Sequence, residues 1–335
     1  RRFEGHGIED FDVCRSSYPE IPVVVPVDSR GRMTAEAGER FEGLTTEQAN
    51  AAIRDYLREI GALFAVKRIT HQYPHCWRCK HPVLFRATEQ WFCSVEAIKD
   101  RTVEEINKVQ WIPAWGRDRI TSMVLERKDW CISRQRLWGV PIPIFYCKKC
   151  GKELVTRESI DAVAAAFRKE GSNAWFKYDA SELLPEDTRC ECGCTEFTKE
   201  KDVMDVWFDS GCSHAAVLTE RPELHWPADL YLEGNDQHRG WFQSSLLTSV
   251  AWRGKAPYRA VLTHGMVIDL EGRKMSKSLG NGIAPSEVVG KYGADILRLW
   301  VASSDYQGDV RISNEILKQL SDAYRKIRNT ARFIL

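Results

Sequence analysis

The stretch Gly272-Arg273-Lys274-Met275-Ser276-Lys277-Ser278-Leu279-Gly280-Asn281 decides how this chain is read. Two lysines stand three apart among small or flexible residues, followed by glycine. This spacing puts two mobile ammonium groups on a loop able to close over a polyphosphate. A lysine ammonium is a compact point charge suited to phosphate oxygens. It can neutralise the charge that builds up as pyrophosphate leaves. A lone Lys-x-x-Lys would read as a solvated basic turn, because lysine is common and mostly exposed. Here the loop follows the strand-like run Ala260 to Thr263 and the segment Leu262-Thr263-His264-Gly265 that ends it. In open α/β sheets, ligands bind beyond the carboxyl ends of strands.

One βα unit earlier, Leu230-Tyr231-Leu232-Glu233-Gly234 reads as a strand end, and Gly240 to Trp252 as the helix behind it. Between them runs Asn235-Asp236-Gln237-His238-Arg239. Glu233 or Asp236 suits an ammonium group, Gln237 a hydroxyl or carboxylate, and Trp241 the wall of an apolar pocket. Alone, such a segment is as well explained as a polar loop capping a helix. Followed by the dibasic loop, it predicts that the two segments converge on one cleft.

The rest of the chain supports an α/β fold. Residues 1 to about 85 are mixed, with a valine-rich strand-like run at Ile21 to Val27. Thr45-x-x-Gln48 reads as a capping box before a helix that Gly61 stops. From Phe85 to Asp209, Gln90 to Ser94 and Trp130 to Ser133 read as short buried strands. Helices at Val95 to Val109 and Arg117 to Arg127 lie between them, which argues for parallel strands with crossover helices. Tyr146 to Lys201 interrupts the alternation and carries five cysteines. Beyond Pro285 the chain reads as helical. Ile316, Leu317, Leu320, Tyr324, Ile327, Ala331 and Ile334 form one apolar stripe behind the N-cap Ser313.

The 335 residues are 43% hydrophobic and 28% charged, ordinary for a globular protein. The net charge of +1 neither advertises nor excludes nucleic-acid binding. No apolar run approaches the ~20 residues of a membrane helix. The eleven cysteines cluster at short spacings, a pattern of metal binding in a reducing, cytoplasmic compartment. Cys147-x-x-Cys150 and Cys190-x-Cys192 form two knuckles suited to tetrahedral Zn²⁺, with Cys194 a rival to Cys190. Buried free thiols are the bland alternative, which four cysteines at these spacings disfavour. Gly151 and Gly193 follow the knuckles and permit tight turns. Cys76-x-x-Cys79, with His71 and His75 nearby, is a weaker half-site. Arg1 at the start and a helical pattern running to Leu335 suggest a piece of a longer protein.

Lys274 to Ser278, behind Leu262 to Gly265, resembles the second signature of the class I aminoacyl-tRNA synthetases. Four further segments resemble the isoleucyl-tRNA synthetases more than the valyl or leucyl ones: Phe85 to Phe92, Asp129 to Gly139, Asp205 to Gly211, and Tyr231 to Phe242. The likeness runs through essentially the whole chain. It implies the second half of a Rossmann-like parallel sheet, over 85–145 and 202–284. A zinc-ribbon insertion occupies 146–201, the end of an editing domain 1–84, and the start of a helical, anticodon-binding region 285–335. It implies that Glu233 contacts an aminoacyl-adenylate, with Gly234 and His264 beside it. Asp236, Gln237, Trp207 and Trp241 line the adenylate and isoleucine pocket. Lys277 contacts ATP with Met275 and Ser276, and Lys274 joins Lys277 in catalysis. Isoleucine, ATP with Mg²⁺ and tRNA(Ile) are the implied partners of a monomer. The family's ribbons favour Cys190 with Cys192 over Cys194, and some members pair the Cys76–Cys79 knuckle with another.

Gly5 to Asp10 resembles an editing-site run in which Asp10 anchors the substrate amino group, with His6 beside it. A pocket cannot reject one missing methylene by much, which is why a second sieve is needed. Arg2-Phe3-Glu4 departs from the family's usual Thr-Ala-Pro at that place. The family's His-x-Gly-His signature has no match here. The chain alone is therefore expected to lack half its ATP site: a pyrophosphate-exchange assay should return background, and wild-type-like turnover would refute the expectation. A rival reading is a zinc-ribbon nucleic-acid-binding module without catalysis; another is a synthetase of the same class specific for valine or leucine.

Overall fold

In the computed structural model, the two strands that lead into the segments singled out above belong to a three-stranded parallel sheet. Its strands are β1 (Gln110–Ile112), β2 (Ala228–Gly234) and β3 (Tyr258–His264), ordered β2-β3-β1. Leu230 pairs with Ala260, Gly234 with His264, and Val261 with Trp111. The strand ends at Gly234 and His264 therefore lie side by side. Helix α1 (Trp241–Arg253) joins β2 to β3 and packs its inner face on the sheet. Phe242, Leu246 and Val250 meet Tyr231, Tyr258 and Val261 in the main core. Burying such side chains contributes about 1.5–3 kcal/mol each. The Tyr258 hydroxyl, in the middle of that core, donates to the Phe242 carbonyl at 3.1 Å.

The structure describes residues 3–4, 8–76, 78–276 and 279–335, those before 11 by backbone alone. They divide into two units, 1–89 and 90–335. In the first, the capping box forms as expected. Thr45 Oγ1 accepts from Gln48 N at 3.2 Å, and Gln48 Oε1 from Thr45 N at 3.0 Å. The helix Thr46–Glu59 follows, and Gly61 turns out of it at φ +68°. The run Ile21 to Val27 yields only Val23–Val24 as strand. Pro22 and Pro26 cannot donate to a ladder, which limits it to that length.

In the second unit the expected strand direction is wrong at one place. Phe92–Cys93 pairs with Trp130–Cys131 antiparallel, and Ser133–Arg134 pairs antiparallel with Val203–Met204. A two-residue apolar run carries no signal of direction. The parallel partner is instead β1, which the sequence hides. The helix Lys99–Ile106 ends earlier than its pattern, and Gln110-Trp111-Ile112 is too short to declare itself.

The insertion holds an antiparallel sheet, Glu153–Leu154 beside Phe145–Cys147 beside Phe197–Lys199. It also builds an apolar core of its own. Phe145 and Trp175 meet at 5.0 Å, and Val163, Leu183 and Phe197 close round them. Cys147 and Cys190 are themselves part of that core. At the C-terminal side, Pro285–Tyr292, Ala294–Ala302 and Asn314–Ile334 pack around Val288, Ile296, Trp300 and Leu317. Ser313 caps the last helix through Ile316 N at 3.3 Å. Its stripe is covered as far as Tyr324; Ile327 and Ile334 stand 59% and 76% exposed. Among the described residues no helix is long and apolar enough to cross a membrane.

Candidate active site and metal centre

Beyond β2 the chain makes one tight turn, Asn235–Arg239, before α1 begins. Its closing residue must be glycine. A Cβ at Gly240 would stand 2.5 Å from Gln237 Oε1 and 3.1 Å from the Trp207 ring. Gln237 Oε1 accepts the Trp241 N–H at 2.8 Å. The Trp241 indole stacks on Tyr231 at 4.0 Å and 8°, and its N–H reaches Ser210 O at 3.0 Å and Ser213 Oγ at 3.1 Å. Trp241 is therefore fixed on both its face and its edge. Trp207 stands in the first turn of the short helix Val206–Gly211, capped by Asp205, whose carboxylate also receives Trp130 Nε1 and Arg134. His238 is fully buried beside Trp111 and Trp115. Burial lowers its pKa, so its ring stays neutral. Glu233 and Asp236 are exposed, and among the described residues Glu233 makes no ion pair.

Beyond β3, Gly265 passes against the backbone of Gly308, with no space for a side chain. His264 Nδ1 lies 2.7 Å from Gly265 O. A carbonyl only accepts, so Nδ1 is the donor in this contact. The chain then turns back at Asp269 to Gly272, and Lys274 bridges to Ile268. Lys274 Nζ comes to 3.9 Å from Asp236 Oδ2. The strand-end turn and the dibasic loop thus meet beyond adjacent strand ends, as the sequence predicts. Lys277 lies outside the described residues; Met275 and Ser276 are half-buried at the loop's start.

Sequence reasoning missed what holds this loop. Asp269 accepts from Arg273 N and Nε, both at 2.8 Å, and from Asn281 Nδ2 at 2.9 Å. The Asn281 amide first, then the Arg273 contacts, hold the Asp269 carboxyl down at about 2 against its burial. The only sequence signal was the Gly-Asn pair that closes the loop.

In the insertion, Cys147, Cys150, Cys190 and Cys192 bring four sulfurs within 4.8 Å of one another. Cys147 and Cys192 are 3.5 Å apart, as are Cys150 and Cys190. Tetrahedral zinc with ~2.3 Å bonds needs ligand sulfurs ~3.8 Å apart, so the donor set fits. Gly151 and Gly193 turn at φ +72° and +79°. Burial opposes ionisation of Cys147, but the N–H groups of Cys150 and Lys149 and two neighbouring thiols bring it to about 6. At Cys150 the Lys152 N–H is outweighed by the thiols of Cys190, Cys147 and Cys192, which push it to about 12. Cys194 turns away to the backbone of Glu196, at 3.4 Å from its nitrogen.

Cys76 and Cys79 share a turn in which Cys76 N donates to His81 O, and Lys80 takes φ +63°. His71 and His75 face backbone carbonyls at 3.1 and 2.8 Å. Among the described residues the pair gains no third ligand. His6 lies outside the described residues. Asp10 falls in the helix Ile8–Ser17, with its side chain likewise outside them.

Comparison with known proteins gives the family of the chain. Residues 12–313 match the family model described as tRNA synthetases class I (I, L, M and V). An isoleucine–tRNA ligase of Caldicellulosiruptor bescii is 62% identical over 99% of this chain and 36% of its own length. That of Caldanaerobacter subterraneus subsp. tengcongensis is 62% identical over 99% of this chain and 35% of its own. The chain thus spans about a third of the length of these curated relatives. A Mycobacterium tuberculosis methionyl-tRNA synthetase solved with methionyl-adenylate is a more distant likeness. It is 20% identical, with TM-score 0.48 over 73% of this chain and 39% of that one. The match of the family model over residues 12–313 places the chain in the class I tRNA synthetases.

Proposed function

We propose that the chain is the adenylate-handling part of an isoleucine–tRNA ligase. The observation that carries this reading is the approach of Lys274 to Asp236 at 3.9 Å beyond the ends of β3 and β2. It gives one cleft both an anionic side for an ammonium and a cationic side for phosphates. A nucleic-acid-binding module without catalysis leaves that convergence without purpose.

In the proposed reaction the isoleucine carboxylate attacks the α-phosphorus of ATP. A carboxyl–phosphorus bond forms, and the bond to pyrophosphate breaks. The terminal adenosine of tRNA(Ile) then attacks the acyl carbon, and AMP leaves. No enzyme nucleophile is required; positioning and charge stabilisation suffice. Glu233 and Asp236 receive the ammonium and the adenylate, and Gln237 a ligand oxygen. Trp207 and Trp241 bound the pocket, with Gly234 and His264 at its floor. Lys274 and Lys277 take the phosphates, beside Met275 and Ser276. Mg²⁺, when bound with ATP, would screen the phosphate charge. Cys147, Cys150, Cys190 and Cys192 would hold Zn²⁺ as a structural ion. Editing of valine belongs to the longer protein, with Asp10 and His6 at its margin.

The test is titration of the chain with nonhydrolysable isoleucyl- and valyl-adenylate analogues. The isoleucyl form should bind more tightly. Glu233→Ala removes a charged hydrogen-bond partner and should weaken it ~10- to 100-fold. No binding, or no loss on substitution, removes the assignment.

A further inference from the structure

The dibasic loop is tied at its base by one side chain. Asn281 Oδ1 accepts from Ser276 N at 2.9 Å, and Asn281 Nδ2 donates to Asp269 Oδ2 at 2.9 Å and faces Lys274 O at 3.4 Å. The orientation of this amide is fixed by its partners. Only its oxygen can serve the Ser276 N–H, and only its nitrogen can serve a carboxylate. Three points of the loop's two arms therefore converge on one planar group. Asp269 in turn anchors Arg273, whose guanidinium also meets Glu271 at 3.2 Å. The same anchor leads directly into Lys274.

We propose that Asn281 and Asp269 form a latch that presets the described base of the lysine loop for the polyphosphate of ATP, making Asn281 a positioning residue for Lys274. The proposal rests on the adenylate reading above and deepens it. The latch touches no ligand. It spares the loop the entropy of being ordered when ATP arrives, a cost that an unlatched loop meets out of its binding energy. Its effect falls on ligands that carry β- and γ-phosphates and spares those that do not.

Two variants separate the latch from a general structural role. Asn281→Ala deletes it. Asn281→Asp keeps its shape but sets a second carboxylate against Asp269, with Arg273 and Glu271 the other charged groups there. Two carboxylates at that distance cannot both stay ionised without repulsion, and one proton shared between them restores the contact. In the parent chain the latch is insensitive to pH in the working range: Asp269 is held at about 2, so its contribution is lost only as pH falls through that value.

The experiment uses the full-length protein, since the chain alone is expected to lack half its ATP site, and reads residue-resolved amide exchange at Ser276, with titrations of MgATP and of the isoleucyl-adenylate analogue, which lacks the β- and γ-phosphates. With Asn281→Ala, Ser276 should exchange at least ~10-fold faster and MgATP should bind ~10-fold more weakly, the analogue being unchanged. With Asn281→Asp, the same losses at pH about 8 should shrink as pH is lowered to about 5, while the parent stays flat. Unchanged exchange or unchanged MgATP affinity overturns the latch. Equal loss of both ligands also overturns it, by showing a merely structural role. A full-length parent that binds neither ligand refutes the adenylate reading, and the latch falls with it.

Discussion

Gly265→Ala is expected to unfold the loop side of the site. An added Cβ would stand 2.1 Å from Gly308 O, 2.2 Å from Gly308 C and 2.6 Å from Asp309 N. All three are backbone atoms, so no side chain can swing away. The crossing segment must retreat, and its bonds go with it: Gly265 N to Tyr306 O at 2.8 Å, Met266 N to Asp309 Oδ1 at 2.7 Å, and Val310 N to Met266 O at 2.8 Å. Overpacking alone costs about 1–3 kcal/mol, and each lost hydrogen bond about 1 kcal/mol. The sum, about 4–6 kcal/mol, is a large share of the 5–15 kcal/mol that holds a typical domain. Thermal or urea unfolding should report it directly. Gly308→Ala is the control on the other side of the same contact. Nothing lies within 4 Å of a Cβ there, so its stability should stay within ~0.5 kcal/mol of the parent. An alanine at 265 that melts with the parent would contradict the close approach.

Removing metal from the cysteine cluster is the second large effect. Zinc bound by four thiolates in a small domain contributes about 10–16 kcal/mol of apparent binding energy at neutral pH. That exceeds the 2–5 kcal/mol of truncating one core side chain. One Zn²⁺ per chain is expected by native mass spectrometry. Chelation should lower the melting of the insertion while sparing the sheet of β1, β2 and β3, because the two regions have separate cores. Acid should release the ion too, since the ligands must be thiolates. Cys190→Ser should abolish binding, whereas Cys194→Ser should leave it intact, given the turn of Cys194 toward Glu196. A chain purified without zinc, and unmoved in melting when zinc is added, would dispose of the metal centre.

These expectations draw unevenly on sequence. β2, β3 and the helix between them were legible because their apolar runs are long and bounded by glycine. The caps at Thr45 and Ser313 were legible because a cap is a local hydrogen bond. What stayed hidden depends on partners far along the chain. The need for glycine at 265 is set by Gly308, 43 residues later, and β1 becomes a strand only because β3 lies beside it. Asn281 looked like a loop terminus until Asp269 and Ser276 were found on either side of its amide. The cysteine knuckles were readable from spacing, but the core they join was not. Phe145, Trp175 and Phe197 come from three separate segments.

One contact bears on how a ligand would lie. Because the carbonyl oxygen of Gln237 is engaged by the Trp241 N–H, the outward face of that amide offers hydrogens alone. Flipping it would set donor against donor, at a cost of about 1–3 kcal/mol. Under the proposed function, an amino acid bound there would meet a polarised frame, with proton donors at Gln237 and proton acceptors at Glu233 and Asp236. A molecule entering backwards, amine where its acyl oxygen belongs, would find like facing like at both ends.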